Sequence, residues 1–90
     1  MPVTRRVEIC NQKGLHARAS AAFSRTAQEF EAAIVVMRAG MEADGKSIIE
    51  LLSLGAGIGC EIEITADGVD AEPAVTALMD LVNNRFGEPN

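Results

Sequence analysis

The chain carries one histidine, His16, set in Gly14-Leu15-His16-Ala17-Arg18 where an apolar strand pattern gives way to a helical one. An imidazole nitrogen can attack phosphorus and hold a phosphoryl group. A helix N-terminus offers the unpaired N–H donors and positive dipole end that stabilise the resulting anion without a metal. Arg18 adds a planar guanidinium suited to phosphate oxygens. Gly14 permits a positive φ or a close backbone approach just before the site. Histidine is a poorer N-cap than Asn, Asp or Ser, so capping alone does not explain its presence. The combination points to phosphate chemistry.

Other chemistries lack parts. No acid lies near His16 in sequence to orient it, and neither Ser20 nor Ser24 stands in a nucleophile elbow, which argues against a triad hydrolase. Gly55-Ala56-Gly57-Ile58-Gly59 is rich in glycine but follows a helical pattern, precedes a strand and lacks the Lys-Ser/Thr end of a phosphate loop, so it reads as a connector. One histidine and two separated cysteines, Cys10 and Cys60, make no zinc or iron–sulfur set, and no cofactor or metal is expected. The thiols are expected to stay reduced.

Ninety residues fit one domain, spanning 1–90, with a modest core and a shallow surface site. The net charge of −5 argues against nucleic acid as the main partner. Lys13, Arg18, Arg25 and Lys46 nevertheless fall in or near segments expected around His16, a local basic patch on an acidic protein. No stretch approaches the roughly 18 apolar residues of a membrane span and no signal-peptide core is evident, so a cytoplasmic location is expected.

The elements that must position the site follow from periodicity. Val3, Arg5, Val7 and Ile9 alternate with polar residues and predict a strand ending at Asn11-Gln12-Lys13-Gly14. Ala19, Ala22, Phe23, Ala27 and Phe30 predict a helix over 17–30 with a narrow apolar stripe. Ala33 to Arg38 and Met41 to Asp44 read as a hairpin turned at Ala39-Gly40. Ser47 with Glu50 three residues on is a capping-box arrangement starting a short helix to Leu54, with Gly55 as its stop. Cys60 to Ala66 alternates as a half-buried strand. Ala71, Ala74, Val75, Leu78, Leu81, Val82 and Phe86 line one helical face, with Asp70 as N-cap and Pro73 in the first turn. The order is that of an α+β domain with helices on one face of a sheet.

Gly14-Leu15-His16-Ala17-Arg18, with Lys46-Ser47-Ile48-Ile49 and Leu52-Ser53-Leu54-Gly55 at matching spacing, resembles the HPr family, histidine-containing phosphocarriers of the bacterial phosphoenolpyruvate-dependent phosphotransferase system. The resemblance spans almost the whole chain. It implies an HPr-like open-faced β-sandwich: a four-stranded antiparallel sheet of order 1-4-2-3 covered on one face by three helices. It also implies a carrier, not an enzyme: a monomer phosphorylated on His16 Nδ1 by enzyme I that passes the group to enzyme IIA proteins. Arg18 is then the charge partner and the backbone N–H groups of Ala17 and Arg18 the phosphate cradle.

By the same resemblance Ser47 matches a regulatory serine modified by an HPr kinase/phosphorylase; its alternative role is the helix cap. Ile48, Ile49 and Leu52 cannot all point inward on so short a helix and match an apolar docking patch, although Leu52 also suits the core. Arg25 and Lys46 either meet acidic partner groups or are simply solvated. If the strand order holds, Cys10 and Cys60 are neighbours close to the site loop. Two residues depart from the family pattern: Ala19 stands where a proline is usual, and Glu50 brings a negative charge towards the docking helix. Two other readings remain, a carrier of the nitrogen-related regulatory branch and an interaction module controlled at Ser47 with His16 idle.

Overall fold

The computed structural model describes residues 2–90. The elements run β1 (Val3–Glu8), α1 (Ala17–Ala27), β2 (Ala33–Arg38), β3 (Met41–Asp44), α2 (Ile48–Ser53), β4 (Glu61–Asp67) and α3 (Ala71–Asn83), with a final 3-10 turn at Arg85–Gly87. The four strands form one antiparallel sheet of order β1-β4-β2-β3, as the resemblance implied. Its register explains the alternation. Val7 faces Ile62, and in the adjacent row Val36 faces both Ile64 and Ala43, so buried apolar side chains line the inner face. The other face is polar: Thr4 and Thr65 share a 2.9 Å hydroxyl hydrogen bond, and Arg6 Nε donates to Glu63 at 3.3 Å.

The helices cover the inner face and give the core its bulk. Phe23 from α1, Leu51 from α2, and Leu78 and Val82 from α3 are fully buried over Ile34, Val36, Ile62 and Ile64. Each such side chain contributes on the order of 1.5–3 kcal/mol by leaving water. Ala19, Ala27 and Ala74 are also fully buried, and their small side chains permit close packing of helix on sheet. The β2–β3 hairpin turns through Ala39 (φ +50) and Gly40 (φ +82). Two consecutive left-handed residues give the twist that suits a two-residue hairpin.

Several expected ends are corrected. α1 stops at Ala27 rather than Phe30, because Glu29 and Phe30 donate to the carbonyls of Thr26 and Ala27 in tight i→i−3 turns. α3 stops at Asn83, and Phe86 lies beyond it at φ +55 while still packing against the core. Ser47 Oγ does cap α2, accepting from Glu50 N–H at 3.2 Å. The reciprocal arm differs: Glu50 Oε1 accepts from Asp44 N–H at 2.9 Å instead of from Ser47. Cys10 and Cys60 lie where β1 ends beside the start of β4, with Ile9 N–H donating to Cys60 O at 2.8 Å. Both are free thiols, and Cys10 turns its Sγ–H towards Val82 O at 3.3 Å.

Asp70 makes no side-chain cap on its own helix. Its carboxylate instead accepts from Glu31 N–H at 2.9 Å and Ala32 N–H at 2.8 Å, pinning the entry to β2. The Glu31 hydrogen bond, against the opposing effect of burial and with help from Ala32, holds this carboxyl below the usual carboxylate range. A carboxyl depressed in the folded state stabilises above its unfolded pKa and stops doing so as pH falls through the folded one. Asp70→Asn is therefore expected to melt below the wild type at neutral pH, with the gap closing in acid. Thermal melts over a pH series check this; a gap independent of pH contradicts it.

Candidate functional site

The loop 9–16 is held by the protein's own hydrogen bonds. Leu15 N–H donates to Ala56 O at 2.8 Å, Ser20 Oγ donates to Leu15 O at 3.1 Å, and Asn11 Nδ2 donates to Gly14 O at 2.8 Å. Leu15 is buried and anchors the loop to the core. Gly14 has φ +66, and a Cβ there would lie 2.6 Å from Ala56 O and 2.7 Å from Gly57 Cα. Only glycine fits so tight a backbone crossing. The Gly55–Gly59 connector thus supports the site loop.

His16 emerges from this support as the N-cap of α1, one-quarter exposed at its side chain. Its Nδ1 accepts from Arg18 N–H at 3.3 Å, while the first intrahelical bond is Ser20 N–H to His16 O at 2.8 Å. The N–H groups of Ala17, Arg18 and Ala19 therefore have no backbone partner within the helix, and Arg18 N–H is met by the ring alone. On the other ring edge, Nε2 lies 2.5 Å from Glu88 Oε2. Glu88 supplies the orienting acid that the residues near His16 in sequence lack: it lies 72 positions away, returned by the turn after α3. Sequence spacing carries no sign of it.

Partial burial pushes the Glu88 carboxyl up, but hydrogen bonds from Asn11 and His16 and the charges of His16 and Lys13 outweigh it, so the group sits below its ordinary range. An ionised carboxylate only accepts, so Nε2 carries the proton. Arg18 N–H only donates, so Nδ1 presents a lone pair. In its neutral form the ring offers Nδ1 as the nucleophile, facing the positive end of a helix. Beside it lies an open cleft of about 230 Å³ lined by Gln12, Lys13, Arg18, Glu88, Pro89 and Asn90. Lys13 and Arg18 can place positive charge around an anion there.

The remaining expected site residues are distributed unevenly. Arg25 is exposed in the last turn of α1, seven residues from Arg18 and hence on the same helix face. Lys46 is not free: its Nζ donates to Phe30 O at 2.8 Å, while its own carbonyl accepts from Ser24 Oγ at 2.8 Å. These bonds tie the α2 entry to α1 and remove Lys46 from the cleft. Ser47 is half-buried as the α2 cap. Ile48, Ile49 and Leu52 are 42%, 79% and 40% exposed, whereas the intervening Leu51 is fully buried. Leu52 is therefore on the patch and not in the core. Ala19 is packed in the core, and Glu50 is exposed at the foot of the same helix. Among the described residues, no cluster of His, Cys, Asp and Glu could hold a metal, and no helix is long and apolar enough to cross a membrane.

Comparison with known proteins places this geometry in context. Residues 3–84 match the sequence model of the family described as "PTS HPr component phosphorylation site". A phosphocarrier protein HPr of Neisseria meningitidis is 45% identical over 82 residues, covering 91% of this chain and 92% of that protein. A phosphocarrier protein NPr of Shewanella violacea is 39% identical over 84 residues, covering 93% and 92%. The crystal structure of HPr-C-His from Thermoanaerobacter tengcongensis superposes with a TM-score of 0.94 at 39% identity, covering 98% of this chain and 99% of that one.

Proposed function

The chain belongs to the HPr family of phosphotransferase-system phosphocarriers, and from that premise we propose that it accepts a phosphoryl group from phospho-enzyme I on His16 Nδ1 and delivers it to enzyme IIA proteins. The observation that carries this reading is the Nδ1 lone pair, aimed at the first turn of α1. When Nδ1 attacks phosphorus, the departing enzyme I nitrogen takes back the electron pair of its P–N bond. The new phosphoryl oxygens then take over the N–H of Arg18, with that of Ala17 and the Arg18 guanidinium beside them. The exchange is between two similar P–N bonds, so positioning is what the protein must supply. The cytoplasm is the compartment in which these partners meet, and a monomer suffices. Neither nucleic acid nor membrane insertion has a part in it.

The experiment is incubation with enzyme I and phosphoenolpyruvate. Acid-labile phosphate on the protein is expected; none overturns the proposal. The α2 patch supports the same reading, because three exposed apolar side chains on a helix packed against α1 suit a transient interface. Ile49→Ala is expected to raise the KM of enzyme I for this protein about fivefold or more. Its melting temperature should not move, since Ile49 is largely solvent-exposed. A lowered melting temperature with unchanged KM would assign Ile49 to stability.

Ser47 phosphorylation by an HPr kinase/phosphorylase fits the cap geometry, since the added charge meets the N-terminus of α2 while opposing docking. The same Oγ serves as the cap without modification. The NPr relative favours a second reading for the destination of the group, the nitrogen-related regulatory branch. Purified IIA proteins of the two branches, compared as acceptors, separate these outputs.

A further inference from the structure

Resting on the phosphocarrier reading, we propose that Glu88, itself set by Asn11, is a positioning residue that keeps the proton on His16 Nε2 throughout the phosphoryl cycle. Three observations meet here. Asn11 is fully buried and its Nδ2 donates both to Gly14 O at 2.8 Å and to Glu88 Oε1 at 2.9 Å, while its own Oδ1, equally buried, has no partner among the described residues. The reverse amide orientation would set an acceptor against two acceptors, so the side chain leaves its oxygen unpaired in order to hold the carboxylate. Glu88 Oε2 then receives Nε2–H at 2.5 Å with only 12% of the Glu88 side chain exposed.

The backbone that delivers Glu88 is strained. Arg85 and Phe86, both non-glycine, sit at φ +55, followed by Gly87 at φ +80. Three consecutive left-handed residues reverse the chain after α3, at a conformational cost that side chains of these types rarely bear. The reversed segment is fastened by Gln12 N–H to Asn90 O at 2.9 Å and by the packing of Phe86 on the core. Such strain persists only where surrounding contacts impose it, and here its result is one carboxylate on one ring edge.

The chemical consequence concerns the leaving group. When the phosphoryl group moves on, the P–Nδ1 bond breaks, its electron pair returns to Nδ1, and a nitrogen lone pair of the acceptor forms the new P–N bond. With Nε2 protonated the ring departs as neutral imidazole; without that proton it must depart as imidazolate. A carboxylate on Nε2–H stabilises the cationic phosphoimidazolium in both directions of transfer. The other charges facing the pair are Lys13 from the site loop and Arg18 from α1.

Glu88→Gln retains an acceptor for Nε2–H but no charge, whereas Glu88→Ala removes both. Single-turnover transfer from phospho-enzyme I and onward to a IIA protein is expected to slow about 10- to 100-fold in both variants, the range of a lost charge-assisted hydrogen bond. Ring ¹⁵N shifts of the unphosphorylated protein are expected to show the Nε2–H tautomer in the wild type and Glu88→Gln, and a reduced share of it in Glu88→Ala, where only the long 3.3 Å contact from Arg18 N–H to Nδ1 still selects it. Unchanged transfer in Glu88→Gln, or an unchanged tautomer in Glu88→Ala, overturns the proposal. If the wild type accepts no phosphate at all, the carrier reading fails instead, and the tautomer measurement still decides the role of Glu88.

Discussion

His16→Ala is expected to gain no acid-labile phosphate from enzyme I and phosphoenolpyruvate while remaining folded. The loss should be complete because no second histidine exists to take the group. Serine and threonine hydroxyls, where phosphorylated, give acid-stable esters that the assay separates. Stability should fall only modestly. The ring is one-quarter exposed, so its removal leaves no sealed cavity, and its cap contact to Arg18 N–H is long at 3.3 Å. Loss of an N-cap costs about 0.5–2 kcal/mol. Glu88 keeps its hydrogen bond from Asn11, so the carboxylate is not stranded. Retention of acid-labile phosphate by His16→Ala would place the carrier elsewhere.

Gly14→Ala is expected to damage fold and transfer together, without touching a reacting atom. The new methyl would sit 2.6 Å from Ala56 O and 2.7 Å from Gly57 Cα, both backbone atoms that cannot rotate away. The left-handed φ of +66 adds about 1–2 kcal/mol for an L-residue, and overpacking adds about 1–3 kcal/mol. Relief requires the 9–16 loop to lift from the 55–59 connector, breaking Leu15 N–H to Ala56 O and shifting the His16 ring. A misplacement of this kind costs about 100-fold in a reaction governed by positioning. Melting temperature and single-turnover transfer should therefore both fall. A stable Gly14→Ala with wild-type transfer would mean that the crossing is not what holds the ring.

Local patterns made much of the fold legible. The alternation over Cys60–Ala66 reports a strand buried on one face, and Ser47 with Glu50 marks a helix start that the structure keeps. The sheet order came from family resemblance, since periodicity says which residues pair with the core but not which strands are neighbours. What stayed hidden depends on contacts far apart in the chain. Asp70 looks like a helix cap, yet its carboxylate is committed to the backbone of residues 31 and 32. Lys46 reads as a solvated cation until the carbonyl of Phe30 claims it. Glu88 reaches His16 through two left-handed residues, Arg85 and Phe86, whose types give no hint of that conformation. Tertiary packing imposes it against local preference, so no window of sequence could reveal the carboxylate beside the imidazole.

The apolar patch shows the same division. That Ile48, Ile49 and Leu52 cannot all be buried follows from helix length, but that Leu51 is the inward residue and Leu52 exposed depends on the docking angle of α2. Site geometry thus combines a legible element, the N-terminus of α1, with two illegible ones, the supporting connector at Ala56–Gly57 and the returning segment that carries Glu88.

The position of the phosphoryl group on the ring is the most direct test of the central claim. NMR of ¹⁵N-histidine-labelled protein phosphorylated by enzyme I should show coupling of phosphorus to Nδ1 of His16, with the proton retained on Nε2. Phosphorus bonded to Nε2, or absent from His16 in a protein that has taken up phosphate, would contradict it.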